Sequence, residues 1–170
     1  AAYADDIVLP TLGSEGLLPK EISLVSPVVL GEVDGKHGVI LVPTDRFLSA
    51  PKWEPGKELP LSLNDAVNLS LIALADKSKI KLSTDDLDNI ALRRNPNMGF
   101  GSNLYYHVVF WPRDEIFKFN YKAKRHVIVL LDGSVYLPEY LPLPEHEPRL
   151  KARCPARIDN TGKVVWLCER

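Results

Sequence analysis

The chain has 170 residues, a formal net charge of −1, 45% apolar and 25% charged residues, and two cysteines. This length suits one domain with a substantial core. The near-zero charge supplies no basic field for nucleic acid, and apolar runs such as Val127 to Leu131 are far too short to span a bilayer.

Residues 1–26 read as an irregular arm, punctuated by Pro10, Gly13, Gly16 and Pro19. Ala2-Tyr3-Ala4 before Asp5-Asp6 has the small-x-small pattern of a signal-peptidase site, with an arbitrary alanine-rich start as the alternative. Across 27–43, two β-branched runs, Val28 to Val33 and Gly38 to Val42, flank Asp34-Gly35 and predict an N-terminal hairpin. Thr44 to Pro60 reads as a connection in which Trp53 packs down as an anchor.

Ser62 is placed to cap a helix over about 62–77, with Asp65 as its capping partner. Leu63, Ala66, Val67, Ser70, Leu71 and Leu74 share one face, which Leu69, Ile72 and Ala73 broaden. A stripe so wide predicts a helix pressed deeply onto a sheet. Ile90 to Arg94 reads as a strand and 95–101 as turn chemistry. Leu104 to Trp111 is apolar on both faces and should be a central strand. Phe117, Phe119 and Tyr121 alternate with polar residues and read as a half-exposed strand or edge. Arg125 to Leu131, Asp132-Gly133 and Ser134 to Leu137 form the clearest hairpin pattern in the chain.

Residues 139–170 read as a proline-rich connection and a C-terminal hairpin. Gly162 supplies the positive φ of a three-residue turn, so Ile158 faces Val164 and Cys154 faces Cys168. Opposed cysteines at that register can bridge, and so short a closed loop contributes about 3 kcal/mol in the chain-entropy picture. A bridge suits an oxidising compartment, so the cysteines and the N-terminal pattern together point to export, periplasmic or extracellular.

Chemistry-bearing residues are sparse. His107 and His126 lie in predicted strands and could share a metal with a nearby carboxylate, but no His-x-His or His-Glu-x-x-His spacing occurs. Glu145-His146-Glu147 reads as a solvated loop. No Gly-x-Ser-x-Gly elbow, calcium loop or phosphate loop is present. No catalytic residue, metal ligand or cofactor is therefore assigned. Rings concentrate in the middle strands instead. If the helix covers one sheet face, Tyr105, His107, Trp111, Phe117, Phe119 and Tyr121 form a binding surface on the other, unless one of the hairpins covers it.

Residues 57–138 resemble the PepSY and cystatin-like α+β group. The resemblance rests on the helix start Ser62-Leu63-Asn64-Asp65-Ala66, the strand Tyr105-Tyr106-His107-Val108-Val109-Phe110 and the Val127 to Val135 hairpin. A Trp and Pro-Leu-Ser lead-in like Trp53 and Pro60-Leu61-Ser62 also occurs in similar exported bacterial proteins. The resemblance implies an α+β fold with one main helix on a curved antiparallel sheet, and binding or regulation, often of proteases. The Gln-x-Val-x-Gly hairpin and Pro-Trp loop of inhibitory cystatins are missing; Trp111-Pro112 has the reverse order. The expectation is a single-domain, non-catalytic exported binding module, with a protein or peptide as one possible partner. The rivals are a small hydrolase or metal enzyme on the strand histidines, and a structural or accessory envelope protein.

Overall fold

The computed structural model describes residues 17–25, 27–94, 103–142, 153–158 and 164–166, with side chains for 20–25, 29–94 and 103–142. It is an α+β arrangement with one long helix and several antiparallel sheets. The signal-like Ala2-Tyr3-Ala4, the 95–101 turn, Glu145-His146-Glu147 and the Cys154–Cys168 pairing lie outside what is described.

The main sheet is an antiparallel meander of β6 (Leu87–Arg94), β7 (Leu104–Phe110), β8 (Arg125–Leu130) and β9 (Val135–Tyr136), paired in that order. β7 is central, as its two apolar faces require. The β8–β9 turn holds Gly133 at φ 85°, with the Leu130 N–H donating to the Ser134 carbonyl at 2.9 Å.

The long helix α3 (Leu63–Ser78) lies on one face of this sheet. Ser62 Oγ accepts the Asp65 N–H at 3.1 Å and donates to the Asp65 carboxylate at 2.7 Å. The helix ends at Lys79 in the left-handed region (φ 56°), and the Ile80 N–H returns to the Leu74 carbonyl at 3.0 Å. Ala66, Val67, Ser70, Ala73 and Leu74 are buried against Tyr106, Val108, Phe110, Val127 and Val129. Small helix residues meeting large sheet residues let the two layers approach closely. The apolar stripe is narrower than expected, because Leu63 and Ile72 are exposed. Ile72 stands two positions from both Ser70 and Leu74, so it points away from the sheet beneath.

The second sheet face carries its own core. Ile22, Val25, Leu30, Ile40, Val42, Phe47 and Ala50 pack there against Tyr105, Ile128 and Leu130. Several expectations are corrected in this covering layer. The arm contains β1 (Leu17–Pro19) and β2 (Glu21–Ser23). Pro27 to Leu30 is a helical turn, α1 (Pro27–Leu30), rather than a strand. Proline suits a first helical position, and Gly31 at φ 76° ends the turn. The Asp-Gly hairpin is real but shorter, joining β3 (Glu32–Val33) to β4 (Lys36–Val39). Asp34 and Gly35 both have positive φ, as a two-residue loop demands.

β5 (Leu41–Pro43) leaves β4 to pair with β2, and the connection opens with a short helix, α2 (Thr44–Ser49). Trp53 is partly buried against the α3 core, as expected of an anchor, and donates to the Lys57 carbonyl at 2.7 Å. The proline-rich connection hides a strand, β10 (Glu139–Leu141), paired with β4; Pro138 and Pro142 flank it without interrupting its hydrogen bonds. β11 (Arg153–Ile158) pairs with β1 and with β12 (Val164–Trp166). Its register, Ile158 with Val164 and Arg157 with Val165, is the one expected from the turn at Gly162.

Candidate functional site

The sheet face proposed from sequence is not open. Tyr105 lies beneath the N-terminal layer, its hydroxyl donating to the Leu24 carbonyl at 3.1 Å, and His107 is buried beside His126. Trp111 is buried at the end of β7, its indole N–H donating to the Asn120 carbonyl at 3.0 Å. The other three residues are in water: Phe117 is 84% exposed, Phe119 74% and Tyr121 64%.

These three are not on a strand. Pro112 starts a short helix, α4 (Arg113–Ile116), followed by a turn at 117–119 and a 3-10 turn at Tyr121–Ala123. The alternation Phe-Lys-Phe-Asn-Tyr mimics a strand, but the backbone closes on itself. The Lys118 and Asn120 N–H groups donate to the Glu115 carbonyl, and that of Phe119 donates to the Ile116 carbonyl. No strand partner is needed once those donors are satisfied.

Glu115 organises the loop. Its carboxylate accepts from Asn120 Nδ2 at 2.6 Å and Lys118 Nζ at 3.0 Å, and these bonds hold its pKa below the usual carboxylate value. Phe119 sits at φ 52°, a region a bulky side chain enters only when its surroundings impose it. At the loop's base Tyr121 packs on Trp111 with centroids 5.1 Å apart. Lys124 Nζ lies 4.5 Å from the Trp111 ring centroid and 3.1 Å from the Asp88 carboxylate. Polar groups thus hold the loop from within while its rings face solvent.

The two strand histidines do meet. His107 Nε2 and His126 Nδ1 are 3.0 Å apart, so one N–H is shared between two buried imidazoles. Burial, then the neighbouring His126, then Arg93 push His107 down to about 4. Burial and Lys124 also lower His126, with Asp88 opposing them. The facing nitrogens are occupied with each other, and no group of three or more His, Cys, Asp or Glu able to hold a metal occurs among the described residues.

Beside this pair lies a cleft of about 330 Å³ that the sequence did not reveal. Leu74 and Ile80 line its apolar side; Lys122, Arg125 and His126 bring cations and an imidazole; Pro138 and Tyr140 close it. Arg125 Nη1 is held by the Lys122 and Lys124 carbonyls, at 3.1 and 3.3 Å. The missed signal was the run Lys122 to Arg125 immediately before a core strand, where cations gather at the strand's mouth.

Comparison with known proteins gives no matching family model, no matching curated protein and no matching solved structure.

Proposed function

We propose that this chain is a non-catalytic binding or regulatory module that recognises a protein partner through the loop 113–123. The observation that carries this reading is the cluster of Phe117, Phe119 and Tyr121, which stand exposed on a turn held by Glu115 and Asn120. Rings carried on a backbone already held in one conformation lose less entropy on binding than rings on a free segment, and aromatic anchors dominate many interfaces. Lys122 stands exposed next to Tyr121, while Lys118 and Arg113 are paired with Glu115 and Asp85, so the fitting partner offers an apolar hollow with a carboxylate placed for Lys122. A bilayer fits less well, because the exposed Asp114 carboxylate belongs to the same loop and would meet anionic headgroups.

Export, a Cys154–Cys168 bridge and a cystatin-like relation of the helix to the sheet belong to the same proposal. They rest on the hairpin register, which, continued outward, sets the two cysteines opposite each other as an oxidising compartment would use, and on the α3-on-meander layer.

Panning a random phage-displayed peptide library against the full chain tests the reading. We expect enrichment of peptides mixing Asp or Glu with apolar residues, and loss of their binding in the Phe117→Ser/Phe119→Ser double variant. Peptides that bind the variant equally well would overturn the loop as the recognition element. Sedimentation with phosphatidylglycerol vesicles, abolished by the same variant, would overturn the protein partner in favour of a membrane surface.

A further inference from the structure

The cleft beside His126 has a feature that volume and charge alone do not convey. Among the described residues, β8 is paired on its outer side with β9 only at Ile128 and Val129, so Arg125–Val127 have β7 on one side and no described strand on the other. The Leu130 N–H and C=O both bond toward the β9 turn. By the two-residue alternation of a strand, the N–H and C=O of His126 face the same outer edge. The residue in register across from His126 is Pro138, since Ile128 faces Tyr136. Proline has no N–H to donate, so it cannot complete the ladder to the His126 carbonyl. His126 and Pro138 both line the cleft. The cleft therefore lies along a short stretch of open strand edge.

Its side chains add a second, independent requirement. Lys124, which also lines the cleft, is engaged by Asp88, whereas Lys122 and Arg125 form no ion pair among the described residues, Arg125 giving only Nη1 to backbone carbonyls. Leu74 and Ile80 supply an apolar wall at the end of α3. An open edge, two uncommitted cations and an apolar wall within about 330 Å³ match one kind of occupant. Such edges recognise extended chains through main-chain bonds, and terminal carboxylates are captured by grouped donors. A cleft at the small end of the ligand-site range holds only a residue or two.

We propose that this cleft binds the carboxyl-terminal end of an extended peptide. The terminal carboxylate sits on Arg125 and Lys122, a backbone N–H of the peptide donates to the His126 carbonyl, and an apolar last side chain packs on Leu74 and Ile80. The site shares Lys122 with the aromatic loop but none of its rings, so the ring variant separates the two roles.

The test uses the full chain and N-acetyl-Ala-Ala-Val-Leu as the free acid, as its carboxamide, and octanoate as a free small carboxylate, titrated by amide chemical-shift perturbation. The free acid is expected to perturb residues 122–127 and 78–80, and the carboxamide to bind at least tenfold more weakly. Arg125→Gln should weaken the free acid about tenfold. Ser78→Trp, at an exposed cleft-lining position, should block it while leaving the fold's spectrum intact. Phe117→Ser/Phe119→Ser should leave it unchanged. Equal binding of acid and amide, no binding at millimolar peptide, or indifference to Ser78→Trp would overturn the proposal. Octanoate binding as tightly as the peptide would overturn the peptide and leave a small-carboxylate site.

Discussion

The helix α3 and the loop 113–123 solve opposite problems with the same materials. In α3, Ala66, Val67, Ser70 and Leu74 turn inward on Tyr106 and Phe110, while the helix's carboxylates and lysines stay in water. In the loop the arrangement is inverted: Glu115, Asn120 and Lys118 bond to one another and to the backbone, and Phe117, Phe119 and Tyr121 stand outside. A chain that buries Tyr106 and Phe110 so completely does not lack room for rings by necessity. Scattered exposed apolar residues need no explanation, but several on one pinned turn do.

Substitution of matched rings breaks the comparison most directly. Phe110→Ala removes a fully buried side chain from the α3 core and should cost about 3–5 kcal/mol in urea unfolding. Phe117→Ala should change stability by less than about 0.5 kcal/mol, as for other surface positions. A cost above about 2 kcal/mol for Phe117→Ala would mean that the loop ring is structural, and the inversion would lose its functional meaning.

The histidine pair sharpens the contrast from the buried side. His107 has its folded pKa near 4, below the ordinary 6.5, because the neutral form is the one that fits the covered face. The stability it contributes is therefore fully present above pH 6.5 and is lost as pH falls from 6.5 toward 4. The shift corresponds to about 3 kcal/mol over that window. Unfolding free energies across pH 4–7, measured for the wild type and His107→Gln, should converge toward pH 4 as the wild type loses this contribution. Parallel curves would show that the imidazole charges without penalty.

A close approach in the covering layer gives the next largest effect. A Cβ added at Gly38 would lie 2.7 Å from Leu30 Cβ and 3.1 Å from the Tyr140 ring. Gly38→Ala should cost about 1–3 kcal/mol, because α1 and β10 must both shift. Thermal unfolding reads it, and an unchanged midpoint would mean the layer is loosely packed.

The contrast also explains what was legible in advance. Ser62, the α3 period, the central strand and the Asp132-Gly133 hairpin are local signals, and each element they imply is present. The C-terminal register followed from a single glycine. What failed was decided elsewhere in the chain. Val28 to Leu30 has strand-like residues, yet Pro27 and Gly31 bracket it as one helical turn. The open sheet face was lost to β2, β5 and α2, whose packing on Tyr105 and Ile128 leaves no mark in the strand sequences themselves. Within the candidate site, Phe117, Phe119 and Tyr121 were visible as residues but not as a turn. Their period of two was outweighed by the hydrogen bonds gathered at Glu115. The cleft was invisible, because it needs Pro138 placed across from His126, a relation of register rather than of composition.

The smallest expected effect is the most discriminating. Phe119 holds φ 52°, where a side chain with a Cβ is disfavoured by about 1–2 kcal/mol. Glycine carries no such penalty but loses more backbone freedom on folding, so Phe119→Gly should be neutral to about 1 kcal/mol stabilising. If the ring serves only the loop's own stability, removing it should destabilise the chain, and a lowered denaturation midpoint would report that. If the ring is there for a partner, the variant should be at least as stable as the wild type and yet lose the peptides selected on the wild-type loop. Stability unchanged or raised while recognition falls is the signature of strain retained for binding, because a purely structural residue cannot move the two in opposite directions.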